Sequence, residues 1–278
     1  MGAVVLLALS SAVTYGLSDF VGGVLARRAS VWAVAAMSQG TAAVLTLGLV
    51  MRDTGSPEAV HALGGIVAGL GSGVGNVAIY RGLAAGRMTV VAPLSAIAAA
   101  LLPVLVGIAI GERPGVRPLI GVLVALPAVW LVSGGGFRLA GARRTDVAHG
   151  MAAGLGFGIQ FSALGLIPAE AGLVPLAVSQ FVSVIAIVGA AIAVSAPWVP
   201  RDRYGGLGAV AGSFAAVATA CYQFAVQSGL LTIAAVLTSL YPAITVLLAA
   251  MVLRERIDRA QGAGLTLALT AVALISAG

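Results

Sequence analysis

The stretch "GVLVALPAVWLVSG", residues 121–134, recurs as "GLTLALTAVALISA", residues 264–277. At this offset of 143 a Gly, an Ala-Leu, an Ala-Val, a Leu and a Ser coincide. Moving outward, Glu112 and Arg113 fall on Glu255 and Arg256, and Gly86 and Thr89 fall on Gly229 and Thr232. Near the front of the chain "TYGLSDF" (14–20) aligns with "GFGIQF" (156–161) at an offset of 142. Ser38 and Gln39 align with Ser179 and Gln180 at 141. A drift of two residues across half a chain is what small loop changes produce, and polar matches that recur in order separate a duplication from chance likeness between Ala/Leu/Val-rich segments.

Each copy is made of apolar runs. The chain has 278 residues, of which 60% are hydrophobic and 9% charged, with a mean hydropathy of +1.09. Soluble domains carry about 25% charged residues, so this composition belongs to a membrane protein. Crossing about 30 Å of hydrocarbon takes about 20 apolar residues. On that measure the sequence reads as ten spans, at residues 3–26, 31–51, 62–80, 88–111, 119–135, 150–169, 172–194, 205–227, 230–253 and 260–277. The first run has no basic residue before it and is too long for the apolar core of a signal peptide, so it reads as a retained helix. The predicted organisation is a first five-helix repeat over 1–136, a cytoplasmic linker over 137–149 and a second five-helix repeat over 150–278.

Five spans per repeat is an odd number, so the second repeat must enter the membrane upside down relative to the first. The arginines test this. With the N-terminus outside, Arg27, Arg28, Arg81, Arg87, Arg138, Arg143, Arg144, Arg201, Arg203, Arg254, Arg256 and Arg259 are cytoplasmic, and only Arg52, Arg113 and Arg117 are external. Twelve of the 15 basic residues thus obey the positive-inside rule, which predicts extracytoplasmic N- and C-termini in a multi-pass protein of the cell (inner) membrane. The fold class is all-α, ten transmembrane helices in two inverted repeats. The same loop placement explains a pI near 10.4 through anionic lipid, without nucleic acid as a partner.

Arranged this way, the chain resembles the drug/metabolite transporter superfamily, and within it the ten-helix EamA-like transporters. The resemblance rests on the ordered duplication: each repeat opens with an aromatic-Gly pair followed by polar residues and Phe ("YGLSDF", "FGIQF"). Each closes with a long apolar helix, a Glu and a Gly-led final helix ("VLVGIAIGERPGVRPLIG", "VLLAAMVLRERIDRAQGAG"). It departs from the commoner pattern in placing Asp19 where a neutral residue is usual, and in having no lysine at all. The resemblance implies a secondary carrier of a small-molecule solute working by alternating access, in which two similar halves exchange roles around a midplane site. It implies no cofactor.

Enzymatic motifs are missing from the sequence. A Walker-type phosphate loop needs a lysine, and there is none; no Ser/His/Asp set, acidic pair or zinc motif is present, and His61 and His149 lack metal-ligand spacing to any Cys or carboxylate. Cys221, the single cysteine, excludes an intramolecular disulfide. "GGIVAGLGSGVGN", residues 64–76, has glycines four apart, which in lipid lets helix backbones approach closely. Pro93 and Pro103 interrupt the fourth span and Pro242 the ninth, and each reads either as freeing a carbonyl to line a cavity or as a permanent structural kink.

Polar side chains inside spans should face the interior or a wet cavity. They include Tyr15, Ser18, Gln39, Asn76, Tyr80, Gln160, Gln180, Tyr222, Gln223 and Tyr241. The predicted substrate-binding set is Tyr15, Ser18, Asp19, Gln39, Asn76, Gln160, Gln180 and Tyr241. Glu112 and Glu255 read either as solvated or loop-anchoring charge or as members of ion pairs that rearrange during gating. Asp19 lies eight residues before Arg27, on the order of 10 Å into the membrane, where a charge costs about 2.5–3.5 kcal/mol. Three readings of it stand open: proton coupling or binding of a cationic solute, a structural pair with Arg81 or Arg87, and solvation at a helix end. The expected activity is secondary active transport, in the efflux direction, of metabolites, amino acids or drugs by a monomer or homodimer. A facilitative uptake permease and a non-transporting membrane scaffold are the alternatives.

Overall fold

In the computed structural model, residues 2–84, 88–134 and 143–278 are described, apart from the side chains of Tyr80, 82–84 and 88–90. The apolar runs are helices. They are α1 (Gly2–Ala26), α2 (Val31–Val50), α3 (Ala59–Ala84), α4 (Met88–Ala109) and α5 (Val116–Val132) in the first repeat. The second repeat contains α6 (Arg144–Gly165), α7 (Val174–Ala193), the short α8 (Arg203–Gly206), α9 (Gly208–Gln227), α10 (Leu231–Thr238), α11 (Tyr241–Val252) and α12 (Arg259–Ser276). Nine described segments are long and apolar enough to cross a membrane, α10 and α11 counting together as one and α8 with α9 as another. The tenth, α5, is 17 residues long, at the lower limit for a span.

Local chemistry sets the ends. Asp258 caps α12 by accepting from Gln261 N at 2.8 Å, while the Gln261 side chain accepts from Asp258 N at 3.1 Å, a reciprocal box. Asp202 caps α8 through Gly205 N at 2.8 Å. α6 begins at Arg144, so residues 144–149 of the expected linker are helical, whereas residues 135–142 lie outside the described set. The ninth span breaks at Ser239 and Leu240, just before Pro242 in the first turn of α11, as its proline suggested. The fourth stays helical, α4 running continuously through Pro93 and Pro103, which leaves the reading of a proline kink within an unbroken helix. Bundle neighbours can hold such a helix together around a proline.

The packing is a pseudo-two-fold. α1 lies on α9 as α6 lies on α3, and α2 lies on α9 as α7 lies on α3. The pairs α2–α7, α4–α10 and α5–α12 join equivalent helices across the axis. The small-residue seams repeat in the same sense. On α3, Gly65 faces Pro175 O, and Gly69 faces Ser179 O and the Val182 side chain; on α9, Gly208 faces Val34 O, and Gly212 faces Ser38 O and the Thr41 side chain. Ser38 and Ser179 are themselves 141 apart in sequence. Glycine is required at these sites because helix backbones meet there. The other face of the α3 run, Gly71 and Gly75, meets Gly156 and Phe157 of α6.

At the bundle end where α1 begins, the α2–α3 and α6–α7 loops clasp: Ser56 N donates to Glu170 O at 2.7 Å and Leu173 N to Asp53 O at 3.2 Å. Gly55 and Gly172 meet there with positive φ of 55° and 61°, a conformation and a closeness that no side chain would permit. At the opposite end the arginines gather. Arg28 and Arg203 donate to the Tyr204 hydroxyl at 3.3 and 2.7 Å and lie over its ring, and Arg27 pairs with Glu255 at 3.2 Å.

Candidate functional site: a polar cleft at the centre of the bundle

Tyr15 and Asp19 are one turn apart on α1 and so share a face. The Tyr15 ring stands 6.1 Å from that of Phe161 on α6 and 6.1 Å from that of Tyr241, where the ninth span breaks. Its hydroxyl is 3.1 Å from Thr219 Oγ1 on α9. Thr219 gives its own proton to Ala215 O at 2.7 Å, and a threonine hydroxyl has only one to give. Tyr15 is therefore the donor, with a lone pair left toward the cleft.

Asp19 lies within the first membrane span and its side chain is exposed. One turn of helix separates it from Tyr15, whose ring stands 6.1 Å from that of Tyr241, so the three residues belong to one region of the bundle. Among the described residues the only ion pair is Arg27 with Glu255, and Asp19 has none. Arg81 instead lines a separate groove with His149; Arg87 lies outside the described residues.

The remaining predicted residues divide. Gln39 Nε2 donates to Gln180 Oε1 at 2.6 Å, an amide pair that joins equivalent positions of the two repeats across the pseudo-two-fold. Asn76 donates to Ser72 O of its own helix at 2.8 Å, and Ser72 Oγ accepts from Ser183 Oγ of α7 at 3.1 Å. Ser18 is 8% exposed and donates to Ala211 O on α9 at 2.9 Å, which makes it a helix tie; Ser11 does the same to Ala218 O at 2.8 Å. Gln160 is buried. Tyr222 and Gln223 are also ties, donating to Phe161 O at 2.7 Å and Leu164 O at 3.3 Å. The Tyr80 side chain lies outside the described set.

Two participants were missed from the sequence. Thr219 sits in an apolar run and looks like any helix-packing threonine. Phe161 is the repeat counterpart of Asp19, as Gly16 facing Tyr241 O and Gly158 facing Ala98 O confirm: both carbonyl partners are 143 apart. One half of the site is thus acidic where the other is aromatic.

The bundle is unevenly open. Every residue of α10 is buried, whereas Ala243 alone is buried in α11. The ninth span is thus tightly packed where it starts, at the end where α1 begins, and more loosely packed toward the arginine-rich end.

A helical membrane bundle built twice over about a pseudo-two-fold, with polar side chains gathered inside its spans, has the architecture of a secondary carrier. This chain belongs to the EamA-like transporter family, whose sequence profile matches it twice, at residues 2–134 and 147–277. A solved crystal structure has the same fold, with a TM-score of 0.72 at 14% identity over 99% of this chain and 98% of the other. Comparison with curated proteins gives no match.

Proposed function

We propose that this transporter moves small, partly apolar, neutral or cationic organic solutes, such as metabolites, amino acids or amphipathic drugs, by alternating access, in exchange for a proton held at Asp19. The observation that carries the reading is an accessible carboxylate deep in the bundle, beside Tyr15 and Tyr241, with no ion-pair partner among the described residues. A carboxylate inside a membrane span can hold a proton or bind a cation. Aromatic rings beside it suit cationic or partly apolar solutes. A polyanion would call for basic groups in the cleft, and the arginines described lie toward the helix ends. With the arginine-rich end in the cytoplasm, as the positive-inside rule has it, the cleft faces inward and proton exchange drives export across the inner membrane. Because α1 and α2 pack on α9, and α6 and α7 on α3, each body that rocks draws helices from both repeats, 1–136 and 150–278.

The test begins with the metabolites that accumulate in cells with and without the protein, which supplies the solute. Asp19→Asn then leaves insertion and folding intact and abolishes gradient-driven transport. Loss of folded protein with no selective transport defect would assign Asp19 to tethering instead.

A further inference from the structure

Glu112 follows the C-terminus of α4 and both of its oxygens are engaged by the start of α10. Leu231 N donates to Oε1 at 2.5 Å, and Thr232 N and Thr232 Oγ1 donate to Oε2 at 2.9 and 2.6 Å. A helix start leaves N–H groups without intrahelical partners and carries positive partial charge, so a carboxylate there is a strong latch. It ties the end of one crossing helix to the start of its repeat counterpart, at the closed end of the cleft.

The equivalent latch is written in the sequence at the other end. Glu255 stands 143 residues after Glu112, and Leu231 and Thr232 stand 143 after Met88 and Thr89, the first residues of α4. Yet the two glutamates are used differently. Glu255 is 51% exposed and paired with Arg27, itself 67% exposed, at the end toward which the cleft loosens.

We infer that Glu112 and Glu255 are alternating latches: Glu112 on the first turn of α10 holds the cleft shut at one end, and in the opposite conformation Glu255 leaves Arg27 for the first turn of α4. This deepens the alternating-access reading and rests on it. The repeats are equivalent but the conformation is not, so one latch is made while the other glutamate waits at the surface. Exposed ion pairs hold little free energy, and Arg27 therefore releases Glu255 easily. Thr232 is a positioning residue that adds a hydroxyl donor to the Glu112 latch.

Hydrogen-exchange mass spectrometry on the purified, solute-free protein reads both ends at once. Glu112→Gln should raise exchange at Leu231 and Thr232 by about tenfold or more, the scale of losing hydrogen bonds to a charged group. It should also lower exchange at Met88 and Thr89, because the population shifts toward the other latch. Glu255→Gln should do the reverse, and Thr232→Val should act as a weaker Glu112→Gln. A purely local cap would change only its own helix: a response at α10 with none at α4, or an α4 start indifferent to Glu255→Gln, overturns the proposal. If either glutamine variant fails to fold, Thr232→Val and Arg27→Ala take its place, both raising exchange at the start of α10 and lowering it at the start of α4. The measurement needs no solute, so a reciprocal response without flux would count against transport and leave the latches standing.

Discussion

Adding one methyl group at Gly212 should pry α9 away from α2. A Cβ built there would lie 2.8 Å from Thr41 Cβ and 2.9 Å from the Ser38 carbonyl carbon, besides meeting the Ser38 oxygen. Carbon atoms pack at about 3.5–4.0 Å, so the helices must separate by roughly 1 Å or deform. A gap of about 0.5–1 Å already forfeits a quarter to a half of each contact along the seam, and overpacking costs about 1–3 kcal/mol. Gly212→Ala should therefore destabilise by about that much. Gly69→Ala should match it, since Ser179 and Val182 stand where Ser38 and Thr41 do. Gly48 and Gly189 supply the control, as a Cβ at either meets nothing within 4 Å. There alanine brings only its better helix propensity, worth up to about 1 kcal/mol. Equilibrium unfolding in mixed detergent micelles, followed by far-ultraviolet circular dichroism, separates the two classes. Gly212→Ala as stable as Gly48→Ala would refute the close-packed seam and the two-fold argument built on it.

The other expectations concern single polar contacts. Tyr222→Phe removes the bond to Phe161 O while keeping the buried ring, and should cost about 1 kcal/mol of unfolding free energy in the same titration. A double-mutant cycle on Gln39→Leu and Gln180→Leu should show a coupling of about 0.6–2 kcal/mol; additivity would mean that the amides do not hold each other. Arg27→Ala should change stability by less than about 1 kcal/mol, because both partners of its ion pair are exposed. Tyr15→Phe should keep the fold and weaken solute affinity by about tenfold, seen as a higher half-saturating concentration in flux, through loss of its hydroxyl beside the cleft.

The bundle was legible because duplication and charge are one-dimensional. Repeats at 141–143 residues, glycines four apart and arginines sorted by loop all survive without coordinates, and the seams of Gly65, Gly69, Gly208 and Gly212 follow from them. Side-chain direction does not survive. Ser18 and Asp19 are adjacent in sequence, yet about 100° of helix turns one to a carbonyl of α9 and the other to the cleft. Gln39 and Gln180 could be matched by offset, but only the axis shows that they bond to each other. The prolines of α4 and α11 read alike in sequence, yet only the ninth span breaks beside its proline, because a neighbouring helix can make good what a proline removes. Glu112 resembled any interfacial charge until α10 was seen to begin beneath it.

The most direct test is flux of the identified solute in proteoliposomes, with a pH gradient imposed and then reversed. The account predicts that net solute movement reverses with the gradient in the native protein and is insensitive to it in Asp19→Asn. Native flux that ignores the gradient would contradict coupling at Asp19, and no flux of any metabolite pool would contradict transport itself.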